Sequence, residues 1–95
     1  MSIRYTHILA NRVHTVLFNN RRNFDQIKFS PYGAPSLSYV VRKAIYMAID
    51  HDDFENFLDA FDHSVGGLYK GSTSAARHEA FQMIFDIADA LLVAQ

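Results

Sequence analysis

Apolar residues recur at helical spacing in the first part of the chain. The set comprises Tyr5, Ile8, Leu9, Val13, Val16 and Leu17. Ser2 precedes it as a candidate N-cap, and Asn19 and Asn20 follow it as candidate end residues. This spacing of three and four residues predicts a first helix that ends near Asn19.

The same stretch also fits a β-hairpin. Residues 13–18 and 24–29 form two short apolar runs, and the polar residues 19–23 between them suit a turn. The adjacent apolar pairs at 8–9 and 16–17 fit a helix better than they fit strict alternation. We favour the helix and keep the hairpin, packed on three helices in an α+β fold, as the alternative.

Residues 20–35 are predicted to form an ordered, extended connection. Pro31, Gly33 and Pro35 interrupt any regular element there. The stretch is too apolar for a free linker, so we expect it to pack against the rest of the domain. Its large apolar residues are Phe24, Ile27, Phe29 and Tyr32.

Two further helices are predicted between residues 36 and 67. The core stripe of the first comprises Leu37, Val40, Val41, Ala44, Ile45, Ala48 and Ile49, and that of the second comprises Phe54, Phe57, Leu58 and Phe61. A short corner at residues 50–51 joins them. Asp52 with Glu55 resembles a capping box, with Asp in place of Ser or Thr. The glycine pair at 66–67 is expected to end the later helix.

A long last helix is predicted from Thr73 or Ser74 onward, and it is apolar on most of its circumference. Of residues 74–94, 14 of 21 are apolar, more than a single core-facing stripe requires. Phe85 and Leu92 lie off the stripe that would face the core. This excess predicts a homodimer that buries them against a second copy.

Together the patterns predict an all-α fold, a compact bundle of about four helices in one domain over residues 1–95. The absence of cysteine excludes disulfides, thiolate metal sites and a cysteine nucleophile. No apolar run approaches the roughly 18 residues of a membrane span, and the first residues lack the apolar centre of a signal peptide. We expect a cytoplasmic protein without membrane contact.

The charges are sorted by sign along the chain. Up to Lys43 there are seven Arg and Lys residues against one Asp, and from Ala44 onward there are nine Asp and Glu residues against two basic ones. The formal net charge of −1 conceals this asymmetry. Such segregation is typical of proteins that bind charged partners.

Acidic residues line one face of each of the last two predicted helices. These residues are Asp52, Glu55, Asp59, Asp62, Glu79, Asp86 and Asp89. Asp86 and Asp89, like Asp50 before them, fall late in their helices, where the helix dipole disfavours acids. We interpret Asp59, Asp62, Asp86 and Asp89 as a docking surface for a protein partner with a basic surface. The alternatives are two merely solvated faces, or faces covered by the basic first half.

The second predicted helix carries a polar and aromatic face opposite its core stripe. Tyr39, Lys43, Tyr46 and Asp50 share that face, and Arg42 lies beside them. Tyrosine and arginine are typical anchors of protein interfaces. We predict partner binding at these five residues, with tyrosines that only cover the rim of the core as the alternative.

Direct nucleic-acid binding by the basic first half is the alternative function. Arg21, Arg22 and Lys28 lie near Phe24 and Phe29, a mixture that suits phosphates and bases. The isoelectric point of about 6.5 is well below that of a dedicated nucleic-acid module. A helix-turn-helix is excluded, because its recognition helix would carry acids into an anionic groove.

No set of residues predicts catalysis, a metal site or a cofactor. The spacing in His51, Glu55, Asp59 and His63 matches no established metal-ligand motif. The sequence therefore predicts a small non-enzymatic interaction or regulatory protein. Compactness, segregated charge and missing motifs are typical of phage and plasmid inhibitors of nucleic-acid enzymes, a likeness of type that no residue carries.

Overall fold

The computed structural model describes residues 3–25, 36–71 and 73–93, and these ranges contain helices and no strand. The helices are α1 (Ile3–Asn19), α2 (Arg22–Asp25), α3 (Leu37–Ala48), α4 (Phe54–Leu68) and α5 (Ser74–Val93). The all-α prediction is confirmed. The hairpin alternative is wrong, because its first predicted strand, residues 13–18, lies within α1.

The end of α1 is set by side chains that bind its last carbonyl groups. Asn20 donates from its amide Nδ2 to the carbonyl of Val16 at 2.8 Å, and Arg21 donates from Nη1 to the carbonyl of Phe18 at 2.9 Å. Two carbonyl acceptors of the final turn are thus satisfied by side chains. The predicted extended connection begins instead with the single turn of α2, and residues 26–35 lie outside the described ranges.

Polar side chains cap the starts of the next helices. Ser36 accepts from the backbone N–H of Tyr39 at 3.3 Å and opens α3. The cap of α4 is Asp53, which has extended backbone angles and accepts from the N–H of Asn56 at 2.8 Å. Asp52 is therefore not the cap, and the predicted capping box is wrong, because the residue three after the true cap is Asn56.

The glycine pair does not end α4. The helix passes through both glycines to Leu68 and ends at Tyr69, whose extended backbone turns the chain while its N–H still bonds the carbonyl of Val65 at 2.9 Å. Thr73 then caps α5 by accepting from the N–H of Ala76 at 3.1 Å. Tyr69, whose backbone has ordinary extended angles, therefore ends the helix where glycine was expected to do so.

The core lies where α3, α4 and α5 meet, with the second half of α1 and Phe24 of α2 packed onto it. Its largest fully buried side chains are Phe57, Phe61, Leu17, Ile45, Ile49, Ile84, Val40, Val41 and Val65. No described helix is both long and apolar enough to cross a membrane. Because the apolar stripes face inward, the charged positions of α3, α4 and α5 are left on the outer surface.

Candidate interaction surfaces

Aromatic contacts show that α4 and α5 pack side by side and antiparallel. The ring centroids of Phe54 and Phe85 are 6.3 Å apart, and those of Phe61 and Phe81 are 5.8 Å apart. Early positions of α4 therefore lie beside late positions of α5. This register places Asp86 level with the first turn of α4.

The predicted acidic residues occupy the outer side of this helix pair. On α4, Glu55 and Asp59 are exposed on the side away from the core, and Asp62 is 37% exposed. On α5, Asp86 and Asp89 are exposed, opposite its buried stripe. We call these five residues the acidic surface. The four predicted docking carboxylates thus lie on the outer faces of two adjacent helices.

A seam of partly buried apolar side chains on α4 and α5, namely Leu58, Phe81 and Phe85, packs against the core. The rings of Phe81 and Phe85 contact rings of α4, so these two lie where the helices meet. An apolar centre with a charged rim is the usual composition of a protein interface. Leu58 and Phe81 were not predicted to be accessible, because they follow the same helical spacing as fully buried residues, whereas Phe85 was predicted to lie off the core-facing stripe.

One ion pair neutralises part of the acidic surface. Arg77 Nε lies 3.5 Å from Asp62 Oδ1, and both side chains are well exposed. It is the only ion pair among the described residues. Its cation, Arg77, belongs to the acidic second half of the chain. Where the basic first half is described, it pairs with none of these acids, so the predicted alternative of a covered acidic surface finds no contact to support it.

The five predicted anchor residues of α3 are divided between surface and interior. Arg42 and Asp50 are exposed, Tyr46 is 38% exposed, and Tyr39 and Lys43 are half-buried. Lys43 Nζ lies 5.4 Å from the centroid of the Tyr46 ring. Tyr39 thus contributes to the rim of the domain, and Tyr46 is the exposed aromatic side chain of this face.

Two arginines that were not assigned to this face are brought to it by the packing of α2 on α3. Arg21 and Arg22 line a pocket of about 170 Å³ together with Tyr46, Ile49 and Asp50. Phe24 is 4% exposed and belongs to the core, which confirms that it packs against the domain. It therefore offers no surface for the stacking that the alternative nucleic-acid function would use. Lys28 and Phe29 lie outside the described residues.

The acidic surface and the α3 face point in opposite directions. α3 packs against both α4 and α5 through its buried stripe, which includes Val41 and Ile45. Lys43 lies on the other side of α3, about half a helical turn away, whereas Asp50 follows the helix, which ends at Ala48.

The described residues hold no grouping of three or more His, Cys, Asp or Glu side chains arranged for a metal ion. His51 is engaged through its carbonyl, which lies 3.1 Å from His14 Nε2. The chain matches no protein-family model, no curated protein and no solved structure. The function is therefore argued from the surfaces alone.

Proposed function

We propose that this protein is a small non-enzymatic regulator that binds a protein partner through the acidic surface. The observation that carries the proposal is that four of its five carboxylates have no described cation within 4.0 Å, while Asp62 has Arg77. A surface that kept its acids only for solubility would not need to align them beside an apolar seam. The partner surface we propose is basic, with apolar groups that reach Leu58, Phe81 and Phe85.

The two parts of this surface would act at different stages of binding. Exposed carboxylates attract a basic partner over distances up to about 10 Å and so raise the association rate. The apolar seam loses its remaining water contact only in the complex and so slows dissociation. A nucleic-acid enzyme offers a basic channel of this kind, which is why we propose an inhibitor of such an enzyme as the specific role.

The test compares capture of host proteins by variants that differ only in where a charge is reversed. Asp59→Lys and Asp89→Lys reverse acids of the acidic surface, and Asp50→Lys makes the same change on the opposite side. Immobilised proteins are incubated with nuclease-treated lysate of the native host, and the bound proteins are quantified. We expect a partner that wild type and Asp50→Lys retain and that the other two variants lose. Equal capture by all four proteins would refute the acidic surface as the docking site.

We also propose a homodimer through α5, which would compete with the partner because both use Phe85 and Asp89. Phe85 and Leu92 remain only partly buried, and Val93 is 88% exposed. Asp89 lies on the same side of the helix as Phe85 and Leu92, since the three are spaced four and three residues apart. A two-fold interface there would bring the Asp89 carboxylates of both copies together, so the dimer should be weak at low salt.

A further inference from the structure

A second surface of the protein combines cations that no described carboxylate pairs with and exposed aromatic rings. It lies where the end of α1, α2 and the outer side of α3 meet. We call it the basic corner, and it consists of Phe18, Arg21, Arg22, Lys43 and Tyr46. No described carboxylate lies within 4.0 Å of its three cations. Three positive charges around one pocket, with Asp50 as the acid of its lining, are more than solubility requires.

Arg21 is held in a fixed position at this corner. Its Nη1 donates to the carbonyl of Phe18 at 2.9 Å, and its Cζ lies 4.2 Å from the centroid of the Phe18 ring. The guanidinium is thereby ordered while its other N–H donors remain available. An ordered guanidinium loses less entropy when it binds a phosphate in two-point fashion.

Tyr46 supplies the aromatic wall of the adjacent pocket. The pocket of about 170 Å³ lies between Arg21, Arg22 and Tyr46, with the buried Ile49 as its base. The Lys43 ammonium lies 5.4 Å from the Tyr46 ring centroid. Lysine is flexible enough to leave the ring for a nearby anion, which would free the ring face for stacking.

We propose that the basic corner binds single-stranded nucleic acid. One phosphate lies between Arg21 and Arg22, and the neighbouring base stacks on Tyr46 in place of the Lys43 ammonium. Backbone phosphates on cations and bases on exposed aromatic rings are the two contacts that sequence-tolerant single-strand binding uses. Phe18, 38% exposed beside Arg21, offers a second ring for the next base.

A single strand fits this surface better than a duplex. The pocket of about 170 Å³ has room for a single nucleotide unit rather than for a helix, and bases in a duplex have no free face to offer Tyr46. The acidic surface on the far side of the molecule would repel the rest of a wrapped duplex. Asp50 forms one wall of the pocket, so its carboxylate opposes the bound phosphate and limits the affinity.

The decisive measurement is fluorescence anisotropy with a labelled twelve-residue oligothymidylate across a salt series. Two phosphate contacts, one between Arg21 and Arg22 and one on Lys43, should give a slope of log affinity against log salt of about −1.4. Arg22→Ala should weaken binding and flatten the slope. Tyr46→Leu should weaken binding roughly fivefold or more and leave the slope unchanged, because it removes stacking without removing charge. Asp50→Asn should tighten binding.

Controls separate this site from general charge attraction. Lys70→Ala removes an exposed cation outside the basic corner and should leave the affinity unchanged. An abasic oligomer of equal charge should bind as weakly to wild type as the thymidylate binds to Tyr46→Leu. Unfolding of each variant by urea, followed by circular dichroism, shows that the weakened variants remain folded at the assay temperature.

Several results would overturn the proposal. If wild type bound the abasic oligomer as tightly as the thymidylate, base stacking would contribute nothing and only the phosphate contacts would remain. Full competition by thymidine monophosphate at the same concentration as the oligomer would identify a free-nucleotide site instead. A third result would be that wild type does not bind the oligothymidylate, while Arg22→Ala loses self-association in light scattering. The basic corner would then bind the acidic surface of a second copy instead of nucleic acid.

Discussion

The Asp62 carboxylate and the Arg77 guanidinium, 3.5 Å apart, join the outer sides of α4 and α5. Both side chains are well exposed, so solvent screens the pair and it contributes less than about 1 kcal/mol to folding. Its greater effect is on the field of the acidic surface, because Arg77 is a cation placed among carboxylates. Removal of Arg77 therefore changes the charge available for binding while it changes the stability of the fold very little.

Arg77→Ala should leave stability nearly unchanged and accelerate association with a cationic ligand. Removal of the guanidinium makes the acidic surface more negative, and association rates follow the field. We would measure stopped-flow on-rates with an oligolysine peptide at low and high salt, together with the melting temperature. Asp89→Lys is the matched control and should slow the same reaction. A change of the same sign in both variants would contradict steering by this surface.

Phe57→Ala and Phe61→Ala should each destabilise the fold by about 3–5 kcal/mol. Both side chains are fully buried, and each forms ring contacts within the row that joins Phe54 to Phe81. Total stability of a domain this small is about 5–10 kcal/mol, so either variant should be close to unfolding. Urea titration followed by circular dichroism at 222 nm gives the free energies.

Phe81→Ala is the comparison for these core variants. Phe81 is only partly buried, so its removal should cost clearly less than that of Phe57 while deleting the same atoms. Equal losses for the two variants would mean that the seam between α4 and α5 is not accessible to a partner. The comparison therefore tests the apolar part of the proposed docking surface as well as the core.

Asp53→Ala should lower stability by about 1 kcal/mol, and Asp52→Ala should not. Only Asp53 accepts the N–H of Asn56 at 2.8 Å and binds the Asn56 amide at 3.2 Å. The two variants remove the same charge from neighbouring positions, so the difference between their melting temperatures isolates the cap. A larger loss for Asp52→Ala would restore the cap that the sequence predicts.

Helical spacing was sufficient to find the core because burial is encoded locally. Val41, Ile45, Phe57 and Phe61 recur at three and four residues, and all are buried. The cap of α4 was missed by one residue because two adjacent aspartates are equally able to accept a hydrogen bond. Asp53 is the cap because its backbone is extended. That backbone conformation depends on the packing of the corner that precedes it.

The basic corner depends on tertiary packing that local patterns do not encode. Arg21 and Tyr46 line one pocket although 25 positions separate them in the sequence. The short helix α2 turns the chain back onto α3, and no periodicity signals a single helical turn. The acidic surface was easier to predict, because its two halves each lie on one helix and only their register remained to be found.

Self-association should increase with salt and with neutralisation of Asp89. Phe85 already contacts Phe54 at 6.3 Å between ring centroids, so only part of its surface remains for a second copy. The repulsion between two Asp89 carboxylates across a two-fold interface falls as salt shortens the screening length. Light scattering should show the 10.8 kDa chain shifting toward twice that mass at high salt, and at low salt in Asp89→Asn.

Leu92→Asp provides the opposing variant. It places a carboxylate in the apolar part of the proposed interface and should hold the protein as a monomer at every salt concentration. Asp50→Asn removes one charge on the far side of the molecule and should behave as wild type. If Asp89→Asn is also a monomer at high salt, then Phe85 and Leu92 are sufficiently covered by other residues of the same chain. The apolar excess of α5 would then serve the core and the partner-binding seam rather than a second copy.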